Sequence, residues 1–70
     1  MDKEEIIERI KDDFFGSGKE FLVIYGNNFE KIDELCRGFS ADTGYHAFPS
    51  DCLTGDERAF EWNYNLLESD

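Results

Sequence analysis

The sequence predicts a small α+β domain: two helices packed on one face of a three-stranded mixed sheet, in the chain order α-β-α-β-β. Three observations carry that prediction. Two stretches repeat apolar residues at helical spacing, Ile6/Ile7/Ile10/Phe14 and Phe29/Ile32/Leu35/Cys36. Between them lies Glu20-Phe21-Leu22-Val23-Ile24-Tyr25, β-rich and too short for an ordinary helix. Near the other end Phe60, Trp62, Tyr64 and Leu66 alternate with Ala59, Glu61, Asn63 and Asn65, the period of a strand with one buried face.

The first helix is expected over residues 2–15. Asp2 with Glu5 three positions later forms a capping-box pattern, and Gly16-Ser17-Gly18 supplies the stop. Residues 20–25 read as a central, covered strand because the run is apolar on both faces. Gly26-Asn27-Asn28 breaks it. A second helix follows from about Asn28 to Arg37, begun by Asn27 with Glu30 or by Asn28 with Lys31, and ended by Gly38. Residues 40–44 read as loop, Tyr45–Phe48 as a short strand cut off by Pro49, and residues 50–57 as a second loop. The last strand starts near Ala59, and residues 68–70 are expected to fray. The first two strands would be parallel, joined through the second helix. The last two would be antiparallel neighbours.

Residues 1–70 make a single domain, with 17 acids against 7 bases and a formal charge of −10. Aromatics at 16% are too many for a disordered acidic tail. The charge weighs against direct nucleic-acid binding, and the size against an enzyme with both a core and a pocket. The amino end lacks a basic stretch followed by an apolar run, and the longest apolar run is Phe21–Tyr25. The expectation is therefore a cytoplasmic protein with no signal peptide and no membrane contact. Cys36 and Cys52 are expected as free thiols, Cys36 on the apolar side of its helix.

Chemical motifs are few. Gly16-Ser17-Gly18-Lys19 has the letters of a phosphate loop, but a helix precedes it and a strand follows, the reverse of what converging amides require. His46 has no nucleophile or orienting partner tied to it by sequence. Asp51, Asp56 and Glu57 lack the alternating spacing of a calcium loop, and no pairing of Cys or His suggests zinc. Phe60, Trp62 and Tyr64 read as core, since a base-stacking platform would repel nucleic acid here. No cofactor is expected.

What remains is the acidic surface. Glu4, Glu8 and Asp12 recur every four residues opposite the isoleucines, and Glu30, Asp33 and Glu34 share the outer face of the second helix. Asp51, Asp56 and Glu57 belong to a stretch, residues 38–57, without Lys or Arg. Like charges at helical spacing cost about 0.2–0.5 kcal/mol per pair. Pairs such as Glu5–Arg9, Glu8–Lys11 and Asp33–Arg37 offset part of it.

A surface kept at that cost points either to binding or to solubility alone. These nine acids are the candidate contacts of an inhibitor whose carboxylates stand where phosphates would sit on the cationic groove of a nucleic-acid-binding protein or nuclease complex. In size, acidity and lack of catalytic groups the chain is similar in type to phage-encoded antirestriction and anti-CRISPR proteins, the nucleic-acid mimics among them. Locally, Tyr25-Gly26-Asn27-Asn28-Phe29-Glu30 followed by Ile32-Asp33-Glu34-Leu35 resembles the loop and acidic helix that barstar-type ribonuclease inhibitors present to their target. The resemblance covers about a fifth of the chain. It lacks that helix's tryptophan and the family's order of elements. It implies an acidic inhibitor with Glu30 and Glu34 central. The alternative is a non-catalytic adaptor binding through an apolar patch of Phe15, Phe39 and Leu67. Either would be a monomer or a small homo-oligomer.

Overall fold

The computed structural model describes residues 2–65. Its elements are α1 (Lys3–Ser17), β1 (Phe21–Tyr25), α2 (Phe29–Thr43), β2 (Ala47–Ser50) and β3 (Ala59–Asn63). The three strands form one sheet in the order β2-β1-β3, and both pairings are parallel. The expected mixed sheet is thus overturned. β2 and β3 are not neighbours at all; each flanks β1 with the same polarity.

The reason lies in the connection. Residues 51–58 are few enough to suggest a hairpin, whereas parallel neighbours ordinarily need a longer crossover. Here the segment passes over β1 from the carboxyl end of β2 to the amino end of β3. A strand of this length rises about 15 Å and two strand spacings add about 10 Å. Eight extended residues reach about 26 Å, enough for the diagonal. Thr54, in mid-connection, donates from its backbone N–H (2.6 Å) and hydroxyl (3.0 Å) to Glu61 Oε2. Glu61 projects from the sheet face opposite the helices, so the connection crosses that second face. The α2 connection moves one way across the helix-covered face, and this one moves back across the other. The two crossovers therefore share one hand.

α1 starts on its cap: Asp2 Oδ1 accepts from the Glu5 amide at 2.9 Å, and Gly18 closes the helix with φ +72°. Asn28 caps α2, accepting from the Lys31 amide at 3.3 Å. α2 does not stop at Gly38. It runs through residues 40–43, expected as loop, to Thr43, and Gly44 at φ +79° is its stop. Gly38 has another purpose. A Cβ there would sit 2.6 Å from Ile7 Cδ1, so this glycine lets the two helices approach. With α2 extended, Phe39 joins Ile32, Leu35 and Cys36 at helical spacing and is fully buried, which removes it from the exposed apolar patch. β2 lies two residues later than expected and includes Pro49, as an edge strand can. Leu66 and Leu67, and the fraying expected at 68–70, lie outside the described residues.

The core sits between the helices and one face of the sheet. Leu22 and Ile24 of β1 meet Ile6, Ile7, Ile10 and Phe14 of α1 and the α2 stripe, with Phe60, Trp62 and Tyr64 packed beside them. Val23 turns to the other face and is still buried, so β1 is apolar on both sides and takes the central position. Among the described residues no helix is long and apolar enough to cross a membrane.

A candidate protein-binding surface at the carboxyl end of the sheet

Open parallel sheets place their ligands outside the carboxyl ends of the strands, where the connections of neighbouring strands depart toward opposite faces. Here that end is built from polar loops. Gly26 follows β1 at φ +156°, donating from its amide to the Ser50 carbonyl at 3.2 Å. Tyr64 donates from its amide to the Tyr25 carbonyl at 2.8 Å, and Asn65 Oδ1 accepts from the Asn27 amide at 2.9 Å. A Cβ on Gly26 would meet that Oδ1 at 2.7 Å, so only glycine lets the three strand ends lock together here.

Both helices begin at this end. α2 leaves directly from the Gly26 loop. α1 finishes three residues before β1, so its carboxyl end lies at the amino end of the sheet and its start lies here. Lys3, Ile6, Lys31, Glu34, Leu35 and Tyr64 meet there in a shallow cleft of about 120 Å³. Helix amino termini carry partial positive charge, which stabilises the carboxylates of Glu4, Glu5 and Glu30 in the first turns. The same carboxylates oppose a phosphate, the ligand such termini would otherwise attract.

The nine candidate acids divide. Glu4 and Glu30 stand in the first turns of α1 and α2 and Asp51 just past β2, all at the carboxyl end, with Asp33 and Glu34 one turn further along α2. Within that group Arg37 Nε holds Asp33 at 3.0 Å, and Lys3 and Lys31 lie close to Glu34. Glu8, midway along α1, is held by Lys11 Nζ at 2.6 Å, and the same ammonium reaches Asp42 of α2 at 3.5 Å. Glu8 raises the Lys11 pKa. Asp12 lies further toward the amino end of the sheet. Asp56 and Glu57 lie at that far end too, just ahead of β3.

Asp56 is part of a turn. It accepts from Arg58 Nη2 at 2.8 Å, Nε at 3.1 Å and the backbone amide at 2.9 Å. Those bonds hold its carboxyl down to about 2. Two acids that sequence reasoning passed over have defined roles. Asp42 shares Lys11, and Glu61 anchors the crossover. Position alone gave no sign of either, because both depend on partners distant in sequence.

Other chemistry finds little structure. His46 is exposed, with its ring stacked on Phe48 at 6.0 Å. Gly16-Ser17-Gly18 forms the end of α1. Among the described residues no group of three or more His, Cys, Asp or Glu side chains is placed to hold a metal ion. Cys36 is buried and Cys52 exposed, both free thiols. The expected apolar patch of Phe15, Phe39 and Leu67 is broken by the burial of Phe39. Phe15 instead pairs edge to face with Tyr45 at 5.3 Å, both rings exposed. No protein-family model matches the chain, and neither the curated proteins nor the solved structures contain a match to it.

Proposed function

We propose that the protein is an acidic inhibitor that covers the cationic nucleic-acid-binding surface of a basic protein partner. The observation that carries this reading is that the elements bearing Glu4, Glu30, Glu34 and Asp51 all begin or finish where an α/β sheet offers its binding end. Carboxylates on two adjacent helix starts and a strand end present acceptors to Arg and Lys from several directions, as a run of phosphates does. The field of a chain at −10 adds long-range attraction to a basic groove. Glu8, Asp33 and Asp56 already have cations of their own and contribute less.

The test is capture of basic nucleic-acid-binding proteins at low and at moderate salt. It compares the native protein, the variant E4K/E30K/E34K/D51K, and a control, D12K/E57K, altered at the other end of the fold. Four reversals move the formal charge from −10 to −2. The native protein and the control should retain such partners at low salt, release them as salt rises, and displace their nucleic acid. The fourfold variant should retain none. Capture without enrichment of basic nucleic-acid binders, or equal capture by the fourfold variant, overturns the proposal. The second reading, a non-catalytic adaptor with an apolar contact, draws on the exposed Phe15–Tyr45 pair and predicts binding that survives high salt.

A further inference from the structure

Among the described residues, helices close only one face of the sheet. Parallel sheets are found almost only with both faces covered. On the second face the crossover runs diagonally and leaves a corner at the amino ends of β1 and β2. There Phe21 and Phe48 meet edge to face at 5.5 Å, and His46 stacks on Phe48. Phe48 remains 49% exposed, and Leu53, carried on the crossover, 60%.

We infer that this corner seats an amphipathic, arginine-bearing helix from a foreign basic protein, which would complete the second layer of the fold. The inference rests on the functional reading above for one point only, that the partner is basic. Strand addition at the adjoining edge is opposed by the backbone. The carbonyls of His46 and Ser50 accept from the Leu22 and Gly26 amides, so Ala47 and Pro49 turn outward, and Pro49 has no N–H to offer. A second copy is opposed by charge, since each chain carries −10 and Glu20 and Glu57 stand exposed just ahead of β1 and β3, at the amino end of the sheet. The same acids oppose nucleic acid and anionic lipid. They favour a cation. The Phe21 ring itself is taken by this chain's Arg58, whose guanidinium lies 5.6 Å from the centroid and pairs with Asp56, so a foreign arginine would meet Glu20 and Glu57. An apolar stripe set on Phe48 and Leu53, with arginines reaching the acidic rim, matches both properties of the surface.

Two synthetic peptides of identical Leu and Arg composition test this, one ordered as an amphipathic helix and one scrambled. They are titrated into the native protein at physiological salt by calorimetry, with amide shifts read by NMR. The amphipathic peptide should bind about tenfold tighter, the fold-change that 1.4 kcal/mol represents, with shifts centred on Phe21, Val23 and Phe48. Phe48→Ser and Leu53→Ser should each erase most of that preference while circular dichroism remains native. Equal binding of the two peptides overturns the inference, as do shifts confined to the helix acids. A native dimer that Phe48→Ser converts to monomer also overturns it, by giving the corner to a second copy. If the functional reading fails instead, E4K/E30K/E34K/D51K captures its partners undiminished, and the preference for the amphipathic peptide is untouched.

Discussion

Phe14→Ala should remove a large part of the stability of this protein. Phe14 is 1% exposed and stands where α1, α2 and the sheet meet. Its ring lies edge to face with Phe39 (5.3 Å), Tyr45 (5.2 Å), Phe15 (5.3 Å) and, further off, Phe60 (6.5 Å). Truncating a buried Phe to Ala costs about 3–5 kcal/mol, because the vacated space cannot fully collapse. At about 0.05–0.15 kcal/mol per residue, 70 residues give a total of about 3.5–10 kcal/mol. The substitution therefore takes from about a third to all of what holds the fold. Phe14→Leu keeps most of the buried area and loses the ring pairs, at about 0.5–1.5 kcal/mol each and not additive, so it should cost about 1–2 kcal/mol. Phe15→Ala is the control: its ring is 53% exposed, and the loss should stay near 1 kcal/mol. Urea unfolding followed by Trp62 fluorescence and circular dichroism gives all three values. A loss below about 1 kcal/mol for Phe14→Ala, or equal losses for Ala at positions 14 and 15, would refute the packing argument.

Acid should act on the crossover. The Asp56 carboxyl is held down to about 2 by the Arg58 guanidinium and amide, and Glu61 is lowered by hydrogen bonds from Thr54. A depressed carboxylate contributes stability above its unfolded pKa and loses it as pH falls through the folded one. The Asp56 contribution is thus present above about 3.8 and lost toward 2, and Asp56→Asn should differ from the native protein at pH 5 and converge with it near pH 2. An NMR titration placing the Asp56 carboxyl at or above the ordinary Asp value would contradict this. The two thiols should separate cleanly. Burial pushes Cys36 up to about 12, while Cys52 is exposed, with its thiol raised by the neighbouring Asp51 carboxylate. A thiol reagent at pH 8 should modify Cys52 alone in the folded protein and reach Cys36 only in denaturant, counted by mass spectrometry.

Local patterns in the sequence carried the elements and their faces, because caps and periodicity are local properties. Asp2 and Asn28 cap the helices where their side chains allow, and Phe60, Trp62 and Tyr64 share the face that their alternation implies. Gly38 misled for a definite reason: a glycine at a helix stop and a glycine at a helix crossing are the same letter. The spacing of Ile32, Leu35, Cys36 and Phe39 held the answer, since Phe39 continues the stripe only if the helix does. Strand direction was not legible. Alternation has no polarity, and a short connection reads as a hairpin unless it is known to pass over a third strand. The acidic surface was legible as composition and not as a place. Five of the acids fall toward the binding end only because α1 and α2 begin and β2 finishes there. Asp12, Asp56 and Glu57 fall away for the same topological reason.

The parallel arrangement also governs how this chain can fold. β1 has no neighbour it can reach by a tight turn: Leu22 pairs with Ala47, and Phe21 waits for Ala59, more than half the chain away. Each pairing must close a long loop before it gains a single ladder bond, so folding should be slow for so short a chain and governed by docking of β3. Until then Phe21-Leu22-Val23-Ile24-Tyr25 presents an open edge with no charge and no proline, the kind of segment on which chains stack into fibrils. The hazard in the life of this protein is therefore the interval between synthesis of β1 and arrival of β3.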